Sequence, residues 1–118
     1  MIYKILLESE WAEFRRDGVF RGSLLDKKDG FIHFSTAGQT RQTAEKYFLK
    51  EKTIVLVEVD PGRLPQAPVW EQSGRGLFPH LYEDLPMRAV VRSWIAFLDL
   101  DGRRIGLPPV NSPDVDAP

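Results

Sequence analysis

The chain has 118 residues, 42% of them hydrophobic and 28% charged, with 16 basic against 17 acidic side chains and a formal net charge of −1. That length fits one domain, which buries roughly two-thirds of its unfolded surface and needs no metal or disulfide to hold it. The charge balance excludes a general attraction to nucleic acid or anionic membrane, and the absence of cysteine excludes disulfides, thiolate catalysis and sulfur-ligated zinc.

Met1 to Glu8 turns charged too soon for a signal peptide, and no run reaches the ~20 apolar residues of a membrane span. A soluble, cytoplasmic protein is expected. Ile2 to Leu7 is a compact apolar run that reads as a central strand. Ser9 can cap a short helix with Trp11 and Phe14 on one face, and Asp17-Gly18 supplies its stop. Val19 to Leu25 is a short strand interrupted by Gly22, and Asp26-Lys27-Lys28-Asp29-Gly30 reads as a charged, solvated turn.

The next stretch organises the chain. From Asp29 to Gln39, period two puts Ile32 and Phe34 on one strand face and His33 and Ser35 on the other. Thr36 with Gln39 three residues on has the form of a capping box, and a helix start there would set free N–H groups beside His33 as a seat for an anionic or polar ligand. Ala44, Tyr47 and Phe48 then mark the buried stripe of a helix ending near Lys50.

Thr53 to Val59 is the strongest strand in the chain, nearly continuous, β-branched and therefore interior, closed by Asp60-Pro61-Gly62. Val69-Trp70-Glu71 is a strand end or ordered loop among prolines and glycines. Leu77 to Tyr82 sets Phe78, His80 and Tyr82 on alternate positions, and Pro79 places this strand at an edge. Ala89 to Leu100 meets Asp101-Gly102, a hairpin signal, with Arg103-Arg104-Ile105 returning. The expected domain spans residues 1–106, and residues 107–118 form a proline-rich, disordered tail.

The chain has only two histidines, the neutral-pH acids and bases, and both fall in unusual settings. His33, His80 and Glu71 are the candidate catalytic groups; Glu71 precedes a flexible loop from which a carboxylate can project into a cleft. Ser35, Thr36, Gln39, Arg75 and Tyr82 are the candidate binding groups, Arg75 because guanidinium matches phosphate and its flanking glycines allow close approach. The plainer alternative is that these polar groups only satisfy one another. His33, Glu71 and His80 match a two-histidine, one-carboxylate metal set by type, but no helix-borne pair such as HExxH fixes that geometry, so no metal is expected. Ser35 lacks the flanking glycines of GxSxG, and neither a P-loop nor GxGxxG occurs.

Taken together, Asp29-Gly30-Phe31-Ile32-His33-Phe34-Ser35-Thr36, Gln39, Tyr47-Phe48, Trp70-Glu71 and Leu77-Phe78-Pro79-His80-Leu81-Tyr82 resemble the small bacterial domain-of-unknown-function family numbered 952, over residues 2 to 106. The resemblance implies an α+β fold like that of ADP-ribosyltransferases, a split mixed or antiparallel sheet with two main helices in a single domain. It also implies an NAD-using ADP-ribosyl or related phosphotransfer enzyme, although no required cofactor is evident from the residues. In that reading His33 and Ser35 orient the ribose, Arg75 touches the pyrophosphate, Glu71 stabilises positive charge as nicotinamide leaves, and His80 and Tyr82 line the acceptor side. The alternative is a module of the same fold that binds a nucleotide or other polar small molecule without chemistry. Tyr47, on a predicted helix, and Tyr82, after Glu71, leave the transferases' middle aromatic unplaced, which favours that alternative. Neither nucleic acid nor membrane is an expected partner, and the sequence does not specify an oligomeric state.

Overall fold

The structure, a computed structural model, describes residues 1–74 and 76–109. In chain order it runs β1 (Ile2–Leu6), α1 (Glu8–Asp17), β2 (Val19–Phe20), α2 (Leu24–Asp29), β3 (Ile32–His33), a 3-10 turn (Ala37–Gln39), α3 (Thr40–Tyr47) and β4 (Thr53–Val59). The second half holds β5 (Val69–Ser73), β6 (Gly76–Leu81), β7 (Leu85–Pro86), β8 (Val90–Leu98) and β9 (Arg104–Ile105). The sheets are β1-β4-β8-β9, β2-β7 and β3-β6-β5, and the strand pairs are antiparallel rather than mixed. This is an α+β fold.

β1 and β4 are buried on both faces, which is why they read as near-continuous apolar runs. Ile2 and Leu6 join Val55, Val57 and Val59 in one core, closed by Phe14 of α1 and by Ile32, Phe34 and Leu81 from the small sheet. Tyr3 and Ile5 join Ile54, Leu56 and Ala96 in a second core under Ala44 of α3. Beyond the first core, which they share, the two larger sheets are bridged where Tyr3 and Ser35 exchange backbone hydrogen bonds of 2.8 and 2.9 Å. That junction brings β1 alongside the His33 strand.

Several expectations are corrected. α1 starts at Glu8 behind Leu7, so Ser9 lies inside it rather than capping it, and Tyr47 is exposed, which leaves Ala44 as the buried group of its helix stripe. The charged segment from Asp26 is not a solvated turn but most of a third α-helix, α2. Its first turn is fixed reciprocally: Ser23 Oγ accepts from Asp26 N–H at 3.1 Å and Asp26 Oδ2 accepts from Ser23 N–H at 2.8 Å. Gly30, at φ 89°, ends it in the left-handed region that favours glycine.

Nor is the Pro79 strand an edge. β6 lies between β3 and β5, and Pro79 is fully buried. Its carbonyl accepts from Phe34 N–H at 3.0 Å, so proline forgoes only the reciprocal bond to the Phe34 carbonyl, at the point where the two-residue β3 ends.

β4 and the Asp101-Gly102 hairpin lie where the sequence puts them, whereas β1, expected as a central strand, is the end strand of the four-stranded sheet and is buried by the packing on its two faces. At the C-terminal end the packing passes the expected boundary at Gly106: Leu107 packs on the second core and Pro108 is buried. The rest of the expected tail, residues 110–118, lies outside the described residues.

Candidate functional site

β3 and β6 pair in register so that His33 stands directly opposite His80. Directly paired residues of an antiparallel ladder share a face, and the two rings meet edge to face with centroids 5.5 Å apart. Phe31 lies against both, at 4.5 Å from His33 and 4.0 Å from His80. Both histidines form part of the wall of a cavity of ≈ 580 Å³. Lys4, Asp26, Ser35 and Thr43 belong to its polar part, with Glu10, Gln42 and Lys46 among the others, and Leu7, Leu25, Phe34, Phe48 and Phe78 are among its apolar groups.

Each imidazole is anchored by a carboxylate. His80, itself buried, turns Nδ1 to Glu71 Oε1 at 2.7 Å, and the same oxygen accepts from the Tyr82 hydroxyl at 2.7 Å. The Tyr82 and His80 hydrogen bonds hold the Glu71 carboxyl below its ordinary range, and the Glu71 carboxylate raises the Tyr82 hydroxyl above its own. His33 is held twice, Nδ1 at 2.6 Å from Asp26 Oδ1 and Nε2 at 2.9 Å from Asp29 Oδ2.

Asp26 is the hub of this network. It is 2% exposed and receives Lys4 Nζ at 3.0 and 2.9 Å, the His33 backbone N–H at 3.1 Å, the His33 ring and the Ser23 N–H. Burial pushes its carboxyl up, but the His33 hydrogen bond and the Lys4 charge, aided by Ser23, outweigh burial and hold it well below the usual carboxylate range. Burial pulls the Lys4 ammonium below its ordinary value against the opposing pull of Asp26. The pair is ionic, satisfied and inside the protein.

The candidate residues thus divide. His33, His80 and Ser35 reach the cavity wall, with Ser35 Oγ bonded to Thr43 Oγ1 at 2.8 Å. Glu71 and Tyr82 stand off the wall and reach it through His80. Thr36 and Gln39 form the expected cap, but it is used up internally. Gln39 Oε1 accepts from Thr36 N–H at 3.0 Å and Gln39 Nε2 donates to Leu77 O at 2.7 Å. These two tie α3's approach to β6 and form no part of the cavity wall, and the expected anion seat is not open there. Arg75 lies outside the described residues.

Lys4 and Asp26 were not singled out by the sequence reading. One signal was available: Lys4 is the lone charge in Ile2-Tyr3-Lys4-Ile5-Leu6, and an ammonium in a strand buried on both faces demands a partner. Among the described residues no three histidine, cysteine, aspartate or glutamate side chains gather as a metal set, and no helix there is long and apolar enough to cross a membrane.

A family model described as "Protein of unknown function (DUF952)" matches residues 5–93. No curated protein matches the chain. Among solved structures the chain is similar to protein CC0527 from Caulobacter crescentus. The crystal structure is 41% identical, with a TM-score of 0.80 over 87% of this chain and 91% of that one. The solution NMR structure is 41% identical, with a TM-score of 0.74 over 91% and 90%.

Proposed function

The chain belongs to the DUF952 family of proteins of unknown function, and we propose that its cavity binds a small molecule of the nucleoside type, with an apolar or aromatic body and a hydroxylated head. One observation carries this: His33 and His80 are paired across two strands on the wall of one cavity, each ring fixed by its own carboxylate. Histidines that merely satisfied the core would not need a shared hollow. The volume of ≈ 580 Å³ falls within the roughly 300–1,000 Å³ of small-molecule sites, and the mix of many apolar groups with a few fixed polar ones is what such sites use.

NAD is the instance that the resemblance to ADP-ribosyltransferases implies, and an ADP-ribosylation-like split sheet belongs to the same reading. The Tyr3–Ser35 bridge between the larger sheets, with the cavity beside it, supports it. The residues fit the ribose portion of NAD, since imidazoles recognise hydroxyls as donors or acceptors. They fit a pyrophosphate less well, because the Lys4 charge is already spent on Asp26 and only Lys46 adds a further cation to the wall. Bound NAD would supply a glycosidic bond whose cleavage releases nicotinamide. In this reading His33 and His80 hold ribose hydroxyls and Glu71 fixes the His80 ring, while Arg75, by its charge alone, is assigned the pyrophosphate. A second reading, binding without turnover, is favoured by Glu71 standing off the wall, where it cannot face a developing charge directly.

The test is an NMR titration of the full chain with NAD and with adenosine, on wild type and His33→Ala, together with chromatographic detection of nicotinamide. Saturable shifts at cavity residues, weakened by an order of magnitude or more in the variant, are expected; released nicotinamide separates the enzyme from the binder. Absence of shifts with both probes at millimolar concentration refutes the reading.

A further inference from the structure

Resting on the small-molecule reading of the cavity, we infer that the backbone of Ile5 is its second recognition element. It is an open rung of β1 that pairs with a flat group carrying a donor and an acceptor side by side, as the edge of a nucleobase does.

Strand parity exposes the rung. Successive residues of an antiparallel strand turn their N–H and C=O groups to opposite sides. Tyr3 gives both groups to Ser35, so its backbone faces away from β4. The ladder to β4 is therefore carried by Ile2, Lys4 and Leu6, opposite Val59, Val57 and Val55, and Ile5 faces outward like Tyr3. Leu7 faces outward too, its N–H donating to Glu10 Oε1 at 2.8 Å and its carbonyl accepting from Trp11 N–H at 3.0 Å. Between these two satisfied positions, no described residue accepts from the Ile5 N–H or donates to the Ile5 carbonyl.

The facing strand opens at the same place. Phe34 N–H donates to Pro79 O, so Phe34 faces β6 while His33 and Ser35, on either side of it, face β1. Ser35 closes its rung on Tyr3. The next rung of that ladder would join Ile5 to His33, but the His33 N–H goes to Asp26 Oδ1 at 3.1 Å instead, and among the described residues its carbonyl has no partner. The two sheets are thus zipped at Tyr3–Ser35 and unzipped one rung on, where both Ile5 and His33 lie on the cavity wall.

Ile5 is 5% exposed, and buried backbone groups nearly always have a partner. An N–H and a C=O of one residue, turned the same way beside a cavity of ≈ 580 Å³, fit a ligand that presents the reverse pair. A carboxylate or phosphate only accepts and would set its charge against the Ile5 carbonyl, and an ammonium only donates. A hydroxyl must serve both groups from one oxygen, whereas an amide or amidine edge has an atom for each. The apolar wall, with Phe34, Phe48 and Phe78, suits the faces of a flat ring. Ile5 takes the base and the histidines take the sugar.

Amide hydrogen exchange followed by NMR on the full chain tests this. In the free protein the Ile5 N–H should exchange an order of magnitude faster than those of Lys4 and Leu6 on either side, which belong to the ladder. Uracil, a base without a sugar, at millimolar concentration should move the Ile5 amide proton downfield and slow its exchange. Uracil methylated on both ring nitrogens keeps the ring but has no N–H for the Ile5 carbonyl, and should act about tenfold more weakly. Ile5 protected as well as Lys4 and Leu6 in the free protein, silent to uracil, or equally responsive to the methylated ring overturns the inference. Adenosine shifts at His33 with Ile5 silent to uracil overturn it while leaving the hydroxyl reading of the histidines in place. Uracil pairing at Ile5 with NAD and adenosine both silent upholds it and refutes the nucleoside reading, so the two fail separately.

Discussion

Asp26→Ala is the substitution the fold should tolerate least. It leaves the Lys4 ammonium buried without its carboxylate, and stranding one member of a buried ion pair costs about 3–5 kcal/mol. The Ser23 N–H also loses its acceptor at the start of α2, worth about 1 kcal/mol by analogy with other helix caps. Set against a domain stability of roughly 5–15 kcal/mol, a loss of about 4 kcal/mol or more leaves a marginal protein. Lys4→Met is the informative contrast. There Asp26 keeps the His33 ring, the His33 N–H and the Ser23 N–H, so its charge stays compensated and the cost should be about 1–2 kcal/mol. Urea denaturation followed by circular dichroism at pH 7 measures both. Equal losses from the two substitutions, or an Asp26→Ala loss under about 1 kcal/mol, would falsify the claim that Asp26 is the hub.

The same carboxylate sets an acid limb. Its native pKa lies below the unfolded value of about 3.9, so the unfolded chain binds the proton first as pH falls. The Asp26 contribution is full above that value and is lost as pH drops from about 4 toward the depressed native value, and Asp26→Asn should flatten this limb in a pH series of melts. Glu71→Gln should leave the melting temperature near that of wild type, because the amide keeps an acceptor oxygen for His80 and Tyr82, while the Tyr82 hydroxyl ionises at lower pH than in wild type; an ultraviolet phenolate titration reads this. Gln39→Ala removes the bonds to Thr36 N–H and Leu77 O and should cost roughly 1–3 kcal/mol in denaturation while leaving ligand affinity in the NMR titration unchanged. Arg104→Met frees the carbonyls of Phe48, Glu51 and Lys52 at the end of α3 and should cost about 3 kcal/mol, with faster amide exchange at Phe48 and Glu51.

What the sequence disclosed is what local chemistry decides. The β-branched run of β4 and the Asp101-Gly102 turn are short-range signals, and they fold as read. The two histidines were singled out by residue type and setting, and the ladder then brings them together from 47 positions apart, as the pairing of His33 with His80 shows. What stayed hidden depends on distant partners. α2 is six residues long with four of them charged, LLDKKD, so its apolar pattern is too brief to reveal a helix, and only the Ser23–Asp26 cap announces it. The Thr36–Gln39 cap was legible, but whether its amides stay open depends on Gln39 reaching Leu77, which lies 38 residues on. Pro79 points to an edge strand unless β3 is known to stop after two residues.

Lys4 joins fold to site. In a strand whose neighbours Ile2, Tyr3, Ile5 and Leu6 are all buried, apolar side chains in place of both Lys4 and Asp26 would serve stability as well or better, since a buried ion pair seldom outperforms the hydrophobic groups that could replace it. Stability therefore does not account for the pair. What the lysine does is add its charge to the stronger His33 hydrogen bond in holding Asp26 ionised against burial, and an ionised Asp26 is what orients His33 by ring and by backbone at once. The order of dependence runs from a strand in the core, through one carboxylate on a short helix, to an imidazole on the cavity wall. Lys4→Met should consequently leave a folded protein whose His33 signals shift more than its His80 signals, because His80 is anchored from β5 by Glu71 and touches this chain of contacts only at the facing ring.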